Sequence, residues 1–211
     1  MNTDDLIRAM ASDTTRANPP DTLLPAVLAG SALLAGLVFL AGMGVRPDLA
    51  EALTHGPVLI KQMFPWLLMV SGLTLVLRLS RPGASLGIWP YMPVVIAAVL
   101  ALSILVELVT LPAEGWGMAL FGKSAATCLL SILSIGAPVS ALSLWVLRNG
   151  APTRPGWAGF AAGLMAGGAA AAVYAFYCNE DSPLFFGVWY VLAILGVAGL
   201  SAVAGSRLLR W

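Results

Sequence analysis

The sequence predicts an all-α integral membrane protein, a bundle of six transmembrane helices with both termini on the cytoplasmic side. Three observations carry this. Of 211 residues, 59% are hydrophobic and only 10% charged, whereas a soluble domain carries roughly 25% charged residues. Six apolar runs reach the length that a hydrocarbon core demands, about 20 residues at about 1.5 Å rise each. The basic residues are distributed unevenly between the loops that separate those runs, which sets an orientation.

The chain opens on a polar tail, residues 1–22, with mixed charge and no apolar h-region, so it does not read as a cleaved signal peptide and the first span must direct insertion. The predicted spans run from Leu23 to Val45, Pro57 to Leu77, Gly87 to Leu111, Lys123 to Leu147, Trp157 to Tyr177 and Leu184 to Ser206, making residues 23–211 the membrane domain. Turn formers separate them: Arg46-Pro47-Asp48, Arg81-Pro82-Gly83, Pro112 to Gly117, Asn149 to Pro155 and Asn179 to Pro183. With both ends inside, the cytoplasmic segments hold Arg8, Arg16, Arg78, Arg81, Arg148, Arg154, Arg207 and Arg210, eight of the 11 basic residues, while Arg46, Lys61 and Lys123 fall outside. In the fifth span Gly159, Gly163, Gly167, Ala171 and Ala175 repeat every fourth residue. Small side chains at that spacing let a neighbouring helix approach closely; the alternative is plain alanine-rich filler, and either way the series is structural.

Several function classes are excluded or left without support. A formal net charge of +1 with no basic cluster gives no electrostatic footprint for nucleic acid. No nucleophile elbow, paired intramembrane carboxylates, histidine cluster or phosphate-cradling loop is present, so an enzyme is not expected. There is no internal repeat of the transporter kind. His55, the one histidine, lies in an outer loop and reads as a solvated imidazole.

The residues that do stand out lie toward the outer face. Cys128 near the start of the fourth span and Cys178 just past the fifth approach the same boundary, although fifty positions apart. Their thiols are either small buried hydrophobes or a reactive pair. Lys61 and Glu107 are ionisable groups inside apolar runs, costly unless paired or hydrated; an ion pair between them is one reading, snorkelling by Lys61 beside a hydrated Glu107 the other. Asp181 completes this outer polar set. In the tail, Thr3 reads as a helix N-cap before Asp4 and Asp5, whose charge suits the positive helix end. Leu6, Ile7 and Met10 follow on one face, fit either to dock in a partner's groove or to lie on the membrane surface.

Four stretches together resemble the NrsF family of bacterial membrane anti-sigma factors: Thr3-Asp4-Asp5-Leu6-Ile7, Gly150-Ala151-Pro152-Thr153-Arg154-Pro155, Cys178-Asn179-Glu180-Asp181-Ser182-Pro183-Leu184-Phe185 leading to Trp189-Tyr190, and Arg207-Leu208-Leu209-Arg210-Trp211. The resemblance extends end to end. It implies a multi-pass protein of the bacterial inner membrane that holds an extracytoplasmic-function (ECF) sigma factor inactive on the cytoplasmic side, through Asp4, Asp5, Leu6, Ile7 and Met10. It further implies release on a heavy-metal or thiol-redox stress signal sensed outside through Cys128 and Cys178. No resident cofactor is required; a transient soft ion such as Cu, Cd or Zn at the cysteine pair suits thiolate chemistry. The competing reading is a small transporter or a thiol-redox membrane protein.

Overall fold

A computed structural model describes residues 2–12 and 20–210; Met1, residues 13–19 and Trp211 lie outside it, as do the side chains of residues 9–11, 20–22 and 28. Arg16 and the side chain of Met10 therefore fall outside the described residues. Among the described residues every regular element is helical: α1 (Thr3–Ser12), α2 (Pro20–Met43), α3 (Leu49–Ala52), α4 (Gly56–Leu79), α5 (Met92–Thr110), α6 (Trp116–Phe121), α7 (Ala125–Leu147), α8 (Pro155–Tyr174) and α9 (Pro183–Leu208). Six segments are long and apolar enough to cross a membrane: Leu23–Met43, Gly56–Leu79, Trp89–Thr110, Ala113–Leu147, Pro155–Tyr174 and Pro183–Leu208. They correspond in order to the six predicted runs.

Proline sets several starts, since its ring pre-forms the helical φ and its missing N–H costs nothing in the first turn. Pro57, Pro93, Pro155 and Pro183 all occupy the first or second helical position. Three details depart from the sequence reading. The carbonyl of Asn2 accepts from the Asp5 and Leu6 amides at 3.1 and 3.2 Å, so Thr3 is the first helical residue rather than the cap. The loop after α5 folds into a 3-10 turn and α6 before Gly122 breaks the chain at φ 50. Finally, α8 stops at Tyr174, and residues up to Cys178 continue as turns, the Cys178 amide donating to the Tyr174 carbonyl at 3.1 Å.

The core is built on α8, of whose apolar window 78% is buried, against 11% for the window containing α5. The small-residue series explains why. A Cβ on Gly163 would lie 2.5 Å from the Ala198 Cα of α9, and one on Gly168 would lie 2.7 Å from the Met69 amide nitrogen of α4. Backbone therefore meets backbone on two sides of α8, the contact that substitutes for hydrophobic drive between helices in lipid. By contrast α5 leaves Val94, Val99, Leu102, Val106 and Val109 exposed, a surface that suits hydrocarbon.

The elements alternate in direction and so define two ends. At one end the loops after α2, before α7 and after α8 converge: the Arg46 amide donates to the Phe176 carbonyl at 3.0 Å and the Lys123 amide to Glu180 Oε1 at 2.8 Å. At the other, the Ala151 amide donates to the Ser80 carbonyl at 3.3 Å, joining the loops after α4 and α7.

Candidate functional site

The first end carries both cysteines and, at its centre, a buried cluster of charge. Lys61 on α4 is wholly buried, and its ammonium donates to the Cys178 carbonyl at 2.8 Å, the Glu180 carbonyl at 3.2 Å and Asp181 Oδ1 at 2.5 Å. An ammonium has three donors, and all three are used. Arg46, also buried, grips Asp48 through Nε and Nη2 at 2.9 and 2.8 Å, and Asp181 through Nη1 and Nη2 at 2.7 and 3.0 Å. Its Nη1 also reaches the Cys178 carbonyl at 3.3 Å. Two cations and two carboxylates thus form a balanced group that ties the loop after α2 and the body of α4 to the segment between α8 and α9.

The protonation of this group follows from its partners. Hydrogen bonds from Arg46 pull the Asp48 carboxyl down to about 2, and bonds to Asp48 and Asp181 raise the Arg46 guanidinium further. Burial by itself raises Asp181, but hydrogen bonds from Arg46 and Lys61 outweigh it and leave the carboxyl below its usual range. Arg46, Asp48 and Asp181 therefore stay ionised at neutral pH.

The Lys61 to Glu107 ion pair, one of the two readings of these residues, is not formed. Glu107 on α5 instead accepts from the Leu184 amide at 2.6 Å and the Ser182 hydroxyl at 2.9 Å, while Ser182 Oγ accepts from the Phe185 amide at 3.3 Å. The carboxylate is spent on the orphan amides and positive pole of the first turn of α9. Asp181, one turn of chain away, is what Lys61 meets.

Cys128 and Cys178 are both free thiols, 0% and 2% exposed, in one apolar cluster with Tyr174 and Tyr190. The two thiols and the two phenols lie within electrostatic range of one another. The tyrosine rings stand 5.7 Å apart at 63° to one another, with Ser124 beside Tyr174 and Cys178 beside Tyr190. Among the described residues no group of three His, Cys, Asp or Glu side chains is placed to hold a metal ion. Two thiols alone suit a soft ion of low coordination number, or a disulfide, rather than a closed four-ligand zinc site. Glu180 secures the rim: its carboxylate lies where a Cβ on Gly122 would approach to 2.7 Å, so the Lys123 amide is reached only because residue 122 has no side chain.

The remaining predicted residues lie elsewhere. Asp4, Asp5, Leu6 and Ile7 are exposed on α1, Leu6 at 44% and Ile7 at 58%, and His55 is exposed at the start of α4. Sequence reasoning overlooked Arg46, Asp48, Tyr174 and Tyr190. The Arg46-Pro47-Asp48 triplet offered a signal, an Arg and an acid flanking a turn former, and Tyr190 stands in the Trp189-Tyr190 stretch of the family resemblance; Tyr174 offered none, since buried aromatics are ordinary core.

These features define a class: a helical bundle with six segments of membrane-spanning length, carrying a buried thiol pair beside a closed ion cluster. Within that class, the chain belongs to the NrsF family, described as negative regulator of sigma F, which it matches over residues 9–211. It is similar to the anti-sigma-F factor NrsF of Caulobacter vibrioides, 38% identical over 216 residues covering 100% of both chains. The probable anti-sigma-F factor NrsF of Azospira oryzae is likewise 38% identical over 216 residues, again covering 100% of each chain. No solved structure matches the chain. The family is one of regulators, in agreement with the expectation that the chain is not an enzyme.

Proposed function

We propose that this protein is an anti-sigma factor that holds an ECF sigma factor at the cytoplasmic face of the bacterial inner membrane and releases it when a soft metal ion or an oxidant joins Cys128 to Cys178 on the periplasmic side. Membership of the NrsF family carries the regulatory part. The thiol part is supported by one observation: the two cysteines of the chain, fifty positions apart, lie in one buried cluster, and Lys61 and Arg46 hold the Cys178 carbonyl. The basic residues of the opposite end support the orientation.

The exposed apolar face of α1, with Leu6 and Ile7 beside Asp4 and Asp5, is the surface offered to the sigma factor. A soft ion binds by displacing both thiol protons; a two-electron oxidant such as a peroxide forms a disulfide with loss of two protons and two electrons. Either event ties the start of α7 to the end of α8. Because Lys61 and Arg46 hold the Cys178 carbonyl, a shift of that segment is felt by α4 and by the loop after α2, the helix that follows the tail. A ligand with different affinity for two packings of the bundle shifts their populations by that difference.

Co-purification of an ECF sigma factor from the same genome with the full-length protein, with and without Cd or Cu, tests both parts. The wild type is expected to lose the sigma factor on metal addition, and the Cys128→Ser, Cys178→Ser protein to retain it. Leu6→Asp with Ile7→Asp is expected to lower sigma-factor recovery at least tenfold without metal. Metal-induced release from the double serine protein equal to wild type would refute the thiol part; undiminished binding by the α1 variant would refute the assignment of the tail.

A further inference from the structure

The end of the bundle opposite the thiols carries a built cavity that the regulatory reading leaves unused. A groove of about 560 Å³ runs between α4, α5 and α8, lined by Leu75, Leu79, Pro93, Val94, Phe160 and Leu164, with Arg154 at its mouth. Its volume falls within the roughly 300 to 1,000 Å³ of small-molecule sites. A second cavity of about 270 Å³ adjoins it, sharing Leu79, Leu86 and Arg154, and is lined by three arginines, Arg78, Arg81 and Arg154. An apolar slot thus opens directly into a basic pocket.

Among the described residues no ion pair involves Arg78 or Arg154. Arg78 donates Nη1 to the Ser85 carbonyl at 2.6 Å, which steadies the loop while leaving the rest of its five-donor fork available. Trp89 and Trp157 stand at the same end, Trp157 lining the groove, as aromatic side chains do at the level of lipid headgroups.

We propose that this paired cavity binds an anionic phospholipid, one acyl chain lying in the groove between α4, α5 and α8 and the phosphate seated between Arg78 and Arg154. Guanidinium forks match phosphate oxygens, and basic pockets between transmembrane helices select anionic headgroups. The inference rests on the membrane-embedded reading of the six spans and on no particular signal or sigma factor.

The test reconstitutes the full chain in nanodiscs containing equal phosphatidylglycerol and phosphatidylcholine of matched acyl chains, and reads the lipids that stay bound by native mass spectrometry. The wild type is expected to retain phosphatidylglycerol in preference. Arg78→Gln and Arg154→Gln are each expected to lower that preference about fivefold. Ala97→Phe, which fills the groove from an exposed position, is expected to lower retention of either lipid. Arg148→Gln, which removes an exposed arginine at the same end but from a different groove, should leave the preference unchanged. Equal retention of both lipids by the wild type, an Arg148→Gln loss as large as the others, or no effect of Ala97→Phe would each overturn the proposal. Failure of the chain to enter nanodiscs at all would overturn the membrane-embedded reading beneath it. A basic pocket that instead captures an acidic peptide from the sigma factor would show no lipid preference in this assay, which overturns the proposal equally.

Discussion

Charge is treated differently at the two ends of this bundle. At the thiol end Lys61 and Arg46 are buried and each meets carboxylates and carbonyls at hydrogen-bond distance. At the other end Arg148 and Arg154 are exposed and Arg78 is half-buried, with no carboxylate on Arg78 or Arg154 among the described residues. Charge taken out of water has to be compensated inside the fold, so the first set is part of the architecture. Charge left at an interface is compensated by whatever is outside, so the second set is available to orient the chain and to meet a ligand. The same residue types therefore hold the molecule together at one end and face outward at the other.

The largest expected effect breaks the first set. Lys61→Met removes the buried ammonium and strands Asp181 and the carbonyls of Cys178 and Glu180, which should destabilise the bundle by about 3 to 5 kcal/mol. Thermal unfolding in detergent measures it, and labelling of Cys178 by a membrane-permeant thiol reagent should accelerate in the same variant. An unchanged melting temperature and labelling rate would mean that the cluster contributes nothing to holding the segment.

An intermediate effect comes from acid. Asp48 and Asp181 titrate below their unfolded value of about 3.9, so their contribution is complete above that value and disappears as pH falls through the folded values, down to about 2 for Asp48. The melting temperature should be flat from pH 7 to about 5 and decline below about 4. In a variant carrying Arg46→Gln that acid step should shrink, because the depression of both carboxyls depends first on this guanidinium. The smallest effect is expected at the opposite end, where Arg154→Gln should change stability by no more than about 0.5 kcal/mol, as exposed substitutions do. A loss comparable with Lys61→Met would abolish the distinction between the two ends.

Much of this could be read along the chain, because hydropathy, proline and loop charge are local properties. The six apolar runs, their proline-marked starts and the small-residue face of α8 are present in consecutive residues, and a bilayer-length helix needs no distant partner to be recognised. The resemblance to NrsF, carried by short motifs near the two ends and in two loops, is likewise a property of the string.

What the string did not contain is which polar groups meet. A pair between Lys61 and Glu107 is one of the two readings the string allows, because both are ionisable and lie at similar depth. The rotation of α5 sends Glu107 to the first turn of α9, while Asp181, 120 positions from Lys61, arrives beside it on a loop. The second glycine contact of α8, Gly168 against α4, was hidden for the same reason, as was the joining of an apolar groove to three arginines from the end of α4 and two separate loops. Helix length and direction come from consecutive residues; the azimuth of each helix is set by the whole bundle packing at once, and that angle alone decides whether a charge finds a partner, a capping amide or the lipid.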